Sequence, residues 1–460
     1  MQIAMVTCIA RIIGLALACT TAARAMADPL EVRNWSLPDT GPFAAQPGLS
    51  ITADNDWLLA WVEKRDDASH ALQFSRAPLT DVEPTWQAPR TIAQGRDWFV
   101  NWADTPNLIA LEDGSLWAHW LRRNGKGLYD YGIALVRSND SGTTWSAPIR
   151  IEPESASNDY GFVSMWAHAR GQLGIAWLDS RQKLAPTESS AHDHNRHSGG
   201  PMMLRAAVFD SRGQRTIEWP LDASTCDCCT TSVARTARGP VVVYRGRTDG
   251  EIRDTRLVRF ENGRWTAPVD VHADGWKFAG CPVNGPAVVA HGNAVWSAWY
   301  TEAQGKPSLR LAHSRDAGDT FTEPLGVAEG EGLLGRVALA IDGQLIWVTW
   351  LAERDHGANG QEIWVARIDA RTSRITDRIL VADVNARGRA SGLPRMQARD
   401  GIARLVWTDV IDGKSQFGQS FDDFGRRFGV FNRVQVQHFV LPSHYVARNP
   451  NLPSPGLLQN

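Results

Sequence analysis

Long apolar helical runs are missing from this 460-residue chain. Only the N-terminal segment is continuously apolar. Arg11 precedes Ile12-Ile13-Gly14-Leu15-Ala16-Leu17-Ala18, and Ala25-Met26-Ala27 stands just before Asp28. A charged start, a short apolar run and an A-x-A site read as a secretory signal over residues 1–27. The apolar run is too short to span a bilayer, and no other segment is apolar enough to do so. The expectation is a soluble periplasmic or secreted protein. Leu17-Ala18-Cys19 leaves a lipoprotein signal as the minority alternative.

Charge of one sign is also missing. Without residues 1–27 the balance is 46 basic against 50 acidic residues. Nothing there favours nucleic acid or an anionic membrane as partner. Cysteine is scarce: Cys8 and Cys19 leave with the signal, and Cys226, Cys228, Cys229 and Cys281 remain. What is abundant is tryptophan, with 20 residues, alongside glycine and proline spread along the chain. That composition implies many short strands with tight turns.

The tryptophans repeat. A turn followed by a strand with a central aromatic runs from Asn55-Asp56 to Trp61, Asp113-Gly114 to Trp120, and Arg170-Gly171 to Trp177. It continues from Arg238-Gly239 to Tyr244, His291-Gly292 to Trp299, Asp342-Gly343 to Trp350, and Asp400-Gly401 to Trp407. Successive aromatics are 59, 57, 67, 55, 51 and 57 residues apart. A period near fifty with several short strands per unit marks propeller blades. The predicted fold is all-β: one seven-bladed β-propeller of four-stranded blades over residues 28–436, followed by a tail over 437–460. The segment Leu30 to Ser36 is expected to close the ring with the last blade.

One turn recurs almost unchanged. Ser138-Asn139-Asp140-Ser141-Gly142-Thr143-Thr144-Trp145 comes back as Ser314-Arg315-Asp316-Ala317-Gly318-Asp319-Thr320-Phe321. The Asp accepts from amides further along the turn, the Gly takes a positive φ, and the hydroxyls bond back across it. This block resembles the Asp-box of sialidases and related β-propellers. The resemblance implies an exported sialidase-like propeller that binds or hydrolyses an acidic glycan, with no cofactor required. It also keeps a six-bladed propeller, the sialidase number, as the alternative count.

Aligning the seven copies on their aromatic places Pro47, Asp104, Phe162, Cys229, Asn284, Arg336 and Arg395 where the inner strands begin, at one mouth of the channel. Convergent polar groups in a concavity make a candidate site. Sialidases of this kind hold a substrate carboxylate with three arginines. The resemblance carries that role to Arg336 and Arg395, with Arg245 as the third and Asn284 beside them. A guanidinium suits a carboxylate because it donates two parallel bonds. Asp104 or Asp254 is the candidate acid/base. Tyr160 with Glu154, or Tyr300 with Glu302, are candidates for a nucleophile pair. Trp98, Trp102 and Trp276 fall outside the repeat positions and are candidates for stacking on a sugar ring.

The cysteine phrase opens two neighbouring units, Thr225-Cys226-Asp227-Cys228-Cys229-Thr230 and Ala279-Gly280-Cys281-Pro282-Val283-Asn284-Gly285. With Tyr244-Arg245 and Asp274-Gly275-Trp276 it resembles a group of exported Asp-box proteins that share the phrase. Four cysteines in an exported chain read first as two disulfides, with Cys281 stapling the fifth unit to the fourth. The alternative is a thiolate site for copper or zinc at Cys226, Cys228, Cys229 and Cys281, in a non-catalytic metal-binding or protein-interaction propeller. His192, His194 and His197 offer further ligands, though a polar surface loop explains them as well.

Overall fold

The computed structural model describes residues 30–41, 43–79, 84–154, 158–183, 201–354, 360–385 and 388–409, and the backbone of 433–440. His192, His194 and His197 lie outside the described residues. Among the described residues no helix is long and apolar enough to cross a membrane.

The chain is an all-β propeller of consecutive antiparallel sheets. Each sheet opens with the hairpin that the sequence repeat marks. The turns carry positive φ at Asn55, Gly114, Gly171, Gly239, Gly292, Gly343 and Gly401, a conformation that favours glycine and asparagine. The aromatic five to seven residues later sits mid-strand with its side chain in the core. Trp61, Trp120, Trp177, Tyr244, Trp299, Trp350 and Trp407 are all buried. Truncating one such tryptophan to alanine costs roughly 3–5 kcal/mol.

Among the described residues six sheets are blades of four strands, which matches the alternative count of six and not the expected seven four-stranded blades; the fourth sheet along the chain has five strands. Its strands are Ser232–Thr236, Gly239–Arg245, Thr255–Glu261, Arg264–Trp265 and Val269–His272. The last two both pair with Thr255–Glu261. The outer edge is therefore one strand broken before Val269, where Pro268 has no amide to donate.

The last sheet closes the ring with both ends of the chain. Glu31–Asn34 pairs antiparallel with Arg433–Val440, which in turn pairs with Ile402–Asp409. This agrees with the closing role expected of Leu30 to Ser36. The strand Arg433–Val440 runs past Gln437, where the tail was expected to begin.

Neighbouring sheets are held by apolar faces and by the two recurrent turns. In both turns the glycine amide donates to the first serine at 2.8 Å. In both, the threonine before the aromatic, Thr144 or Thr320, bonds the aspartate through its amide at 2.9 Å and its hydroxyl at 2.6 Å. Each turn packs on the preceding sheet. A Cβ on Gly142 would stand 2.3 Å from the Phe74 ring, and one on Gly318 would stand 2.8 Å from Leu257. The turn is thus an inter-sheet joint, which is why it must be tight.

Candidate functional site

Loops that open the second, third, fourth, fifth and seventh sheets meet. Trp102, Ala103, Phe162, Cys228, Val283 and Leu393 share one apolar cluster. Residues so far apart in the chain touch only because the sheets stand around a common axis. Of the aligned positions, Phe162 lies in this cluster and Arg336 covers the Trp102 ring.

The convergence has a repeated bonding rule. The inner strands of the third and sixth sheets begin with a glycine followed by a left-handed residue, Gly161-Phe162 and Gly335-Arg336. The register shifts there, so each is a bulge. The amide of the left-handed residue points at the neighbouring sheet. Phe162 N donates to Asp104 Oδ1 at 2.8 Å, and Arg336 N donates to Asn284 Oδ1 at 2.8 Å. The glycines make room: a Cβ on Gly161 would lie 1.9 Å from Asp104 Oδ2, and one on Gly335 would lie 2.7 Å from Asn284 Oδ1. In the first sheet, left-handed Gln46 donates its amide to Thr408 Oγ1 of the last sheet at 3.2 Å.

Asp104 and Asn284 therefore do the same structural job, but they are not equivalent. Asn284 Nδ2 donates to Leu334 O at 3.1 Å, so both ends of the amide are used. Asp104 Oδ2 is buried beside Tyr131, whose hydroxyl is a hydrogen-bond partner of the carboxyl. Burial pushes the Asp104 carboxyl up to about 7. The negative charge of Asp159 adds to the rise, while the Phe162 amide, Tyr131 and Arg395 oppose it. Arg395 is partly exposed and donates from Nη2 to Thr105 Oγ1 at 2.8 Å. Burial lowers its pKa and Asp104 raises it.

Three further groups complete this side. His119, at the centre of strand Leu116–Arg123, is fully buried, and neither ring nitrogen has a hydrogen-bond partner among the described residues. Burial first and the Arg395 charge second hold its pKa at about 3, so the ring is neutral. Tyr131 is buried against Phe99, with ring centroids 4.0 Å apart. Asp159 pairs with Lys183 at 3.1 Å. Lys183 begins a charge chain that passes to Asp227 at 3.3 Å, Arg247 at 3.3 Å and Glu251 at 2.6 Å.

The other predicted anion-holding groups are already committed. Arg245 Nε donates to Asn284 O at 2.8 Å, Nη2 to Tyr300 O at 2.7 Å, and Nη1 to Arg253 O. Burial lowers it to about 10, so it remains a cation at neutral pH. It clasps the fourth sheet to the fifth and presents no free fork. Arg336 is likewise buried, donating to Ser391 Oγ at 2.6 Å and Gly388 O at 2.7 Å. Asp254 Oδ2 and Oδ1 accept the Gly275 and Trp276 amides at 2.9 and 3.1 Å, which makes it a loop clamp. Burial raises its pKa.

The stacking expectation also changes. Trp98, Trp102 and Trp276 are buried. Arg336 covers the Trp102 ring at 4.7 Å and Arg245 covers the Trp276 ring at 4.8 Å, so both faces serve cations of the protein itself. Among the described residues the exposed aromatic is Tyr129, whose partial burial raises its pKa while Arg389 opposes the rise. Of the nucleophile pairs, the Tyr300 hydroxyl donates to Glu302 Oε1, whereas Tyr160 is buried and Glu154 exposed. Sequence reasoning missed His119, Tyr131 and Lys183. The signal for His119 was present: a histidine between Ala118 and Trp120 in an otherwise apolar strand.

The four cysteines form two disulfides, Cys226–Cys229 and Cys228–Cys281, with Cα atoms 5.7 and 6.0 Å apart. The second links the loop opening the fourth sheet to the loop opening the fifth, as the staple reading expected. The sulfurs of Cys226, Cys228 and Cys229 lie within 4.8 Å of one another. Zinc and copper bind thiolates, and a disulfide sulfur is not one, so the copper or zinc reading requires reduction first.

No protein-family model and no curated protein matches the chain. Solved structures do resemble it. A lectin from Burkholderia pseudomallei is 13% identical, covers 80% of this chain and 94% of its own, and gives a TM-score of 0.52. A protein of unknown function from Dyadobacter fermentans is 13% identical over 89% of this chain and 99% of its own, at 0.48. A Hadza microbial sialidase is 19% identical over 68% of this chain and 64% of its own, at 0.40. At such identities the likeness speaks to the fold alone.

Proposed function

We propose that this chain is an exported, sialidase-like propeller that binds an acidic glycan at the mouth beside Asp104 and Arg395, and hydrolyses it with Asp104 moving the proton. In this reading residues 1–27 are a secretory signal, the two recurrent turns are Asp-boxes, and the five-stranded sheet counts as the seventh blade. The supporting observation is the excess at Asp104. An asparagine is sufficient for the bond to the next strand, as Asn284 demonstrates, yet position 104 carries a carboxyl. Its second oxygen is buried beside the Tyr131 hydroxyl, and its pKa of about 7 suits a group that gives and takes a proton near neutrality. Arg395 is the cation on the same side for the ligand's carboxylate.

The test is a panel of sialylated and uronate-bearing glycans presented to the full chain. Binding and turnover by the wild type are expected, with Asp104→Asn retaining binding and losing turnover, and Arg395→Ala losing both. Absence of binding and turnover across the panel removes the reading.

A further inference from the structure

The two disulfides are graded in exposure. Cys281 is exposed, Cys228 is partly buried, and Cys226 and Cys229 are buried at 0% and 2%. They also touch. Cys226 Sγ and Cys228 Sγ lie 4.0 Å apart without being bonded to each other. A thiolate attacks a disulfide sulfur through a mixed disulfide, and access decides which bond reacts first. A thiol from outside therefore meets Cys281 first. Nothing about a purely mechanical staple requires the second, buried bridge to lie in contact with it.

We propose that the pair is a thiol–disulfide relay. It accepts two electrons from an external dithiol at Cys281 and passes them to the buried Cys226–Cys229 bond through Cys228. In the first step one thiolate of the dithiol attacks Cys281 Sγ, the Cys228–Cys281 bond breaks, and Cys228 leaves as thiolate. The second thiolate of the dithiol then displaces Cys281 as thiolate, and the dithiol departs as its cyclic disulfide. In the inward step the Cys228 thiolate attacks Cys226 Sγ, a Cys226–Cys228 bond forms, and Cys229 leaves as thiolate. Protons from solvent convert Cys281 and Cys229 to thiols. The balance is one external dithiol oxidised and one protein disulfide reduced.

The surroundings give the relay something to control. Asp227 lies between the cysteines and is held by Lys183 and Arg247 at 3.3 Å each. Opening Cys228–Cys281 removes the covalent link between the loops that open the fourth and fifth sheets. The partner implied is a dithiol-bearing protein able to reach an exposed sulfur at this end of the propeller. The proposal is independent of the glycan reading.

The experiment is timed reduction of the full chain by dithiothreitol, quenched with iodoacetamide and mapped by peptide mass. A Cys226–Cys228-linked peptide is expected as an intermediate, with label on Cys281 and Cys229. In the double variant Cys228→Ser/Cys281→Ser, reduction of Cys226–Cys229 is expected to slow by about tenfold or more, because the direct route to a buried sulfur is closed. A bridge with only a mechanical role gives the opposite sign, since losing the outer staple loosens the loops and speeds reduction. Equal or faster reduction in the double variant overturns the relay. If that variant fails to fold, Cys281→Ser alone decides: label shared between Cys228 and Cys229 supports the relay, and label confined to Cys228 overturns it.

Discussion

The second and fifth sheets are close counterparts. Both carry the Ser-x-Asp-x-Gly-x-Thr turn with matching bonds, and both open with a side-chain oxygen that accepts the amide of a left-handed residue in the next sheet. They differ in what remains after that bond is made. At the fifth sheet the asparagine amide is used at both ends, Arg245 is fully engaged, and Trp276 is covered. At the second sheet the position carries a buried carboxyl held near neutrality, His119 keeps two unpartnered nitrogens among the described residues, and Arg395 keeps some exposure. A buried polar group left incomplete costs free energy.

The comparison breaks most sharply at the arginines. Arg245→Ala leaves three backbone carbonyls without their charged donor and is expected to cost roughly 3–5 kcal/mol in urea unfolding. Arg395→Ala is expected to stay within about 1 kcal/mol of wild type in the same assay, because it forfeits one bond to Thr105. Equal losses at the two positions defeat the distinction.

The carboxyl itself gives a pH signature. Its folded-state pKa, about 7, lies above that of an unfolded aspartate, about 3.9. The folded chain then holds the extra proton between those values, so this group's contribution to stability falls as pH rises from about 4 to about 7 and stays lost above. A rise of some three pKa units corresponds to as much as about 4 kcal/mol. Asp104→Asn keeps the acceptor for Phe162 and is expected to flatten that part of the stability-against-pH curve and to be more stable than wild type at pH 8. A wild-type curve with the same slope as the variant between pH 4 and 7 contradicts the assignment.

The reciprocal exchange is smaller. Asn284→Asp preserves the bond from Arg336 but turns a donor toward Leu334 O into a second acceptor. A loss of roughly 1–3 kcal/mol at pH 8 is expected, shrinking as the new carboxyl protonates at low pH. The smallest contrast lies in the two turns. Gly142→Ala and Gly318→Ala both place a Cβ at positive φ, with φ of 82° and 93°. Gly142 meets a Phe74 ring at 2.3 Å and Gly318 a Leu257 methyl at 2.8 Å, so the first substitution should destabilise more, by roughly 1 kcal/mol in thermal melts.

Much of the architecture was legible in the sequence because its determinants are local. A positive-φ turn and a buried aromatic a few residues later are written in consecutive positions, and each marked one sheet. The break in the outer edge of the fourth sheet was written too, in Trp265-Thr266-Ala267-Pro268, where Pro268 has no amide to donate. The mouth was half legible. Alignment on the aromatics found Asp104, Asn284, Arg336 and Arg395, but not which of them are occupied. Arg245 is satisfied by residues 39 and 55 positions away, and such partners follow from the ring and from no local pattern. Trp102 and Trp276 failed as stacking platforms for the same reason: the guanidinium over each comes from a distant segment.

The seam between Glu31–Asn34 and Arg433–Val440 has a consequence for how the molecule is made. Glu31–Asn34 has no partner in this sheet until Arg433–Val440 has been synthesised. Until then its edge hydrogen bonds are unmet and the outermost position of the closing sheet is vacant. A chain lacking residues 433–440 would leave the ribbon Glu31–Asn34 with an unpaired edge, open to another strand.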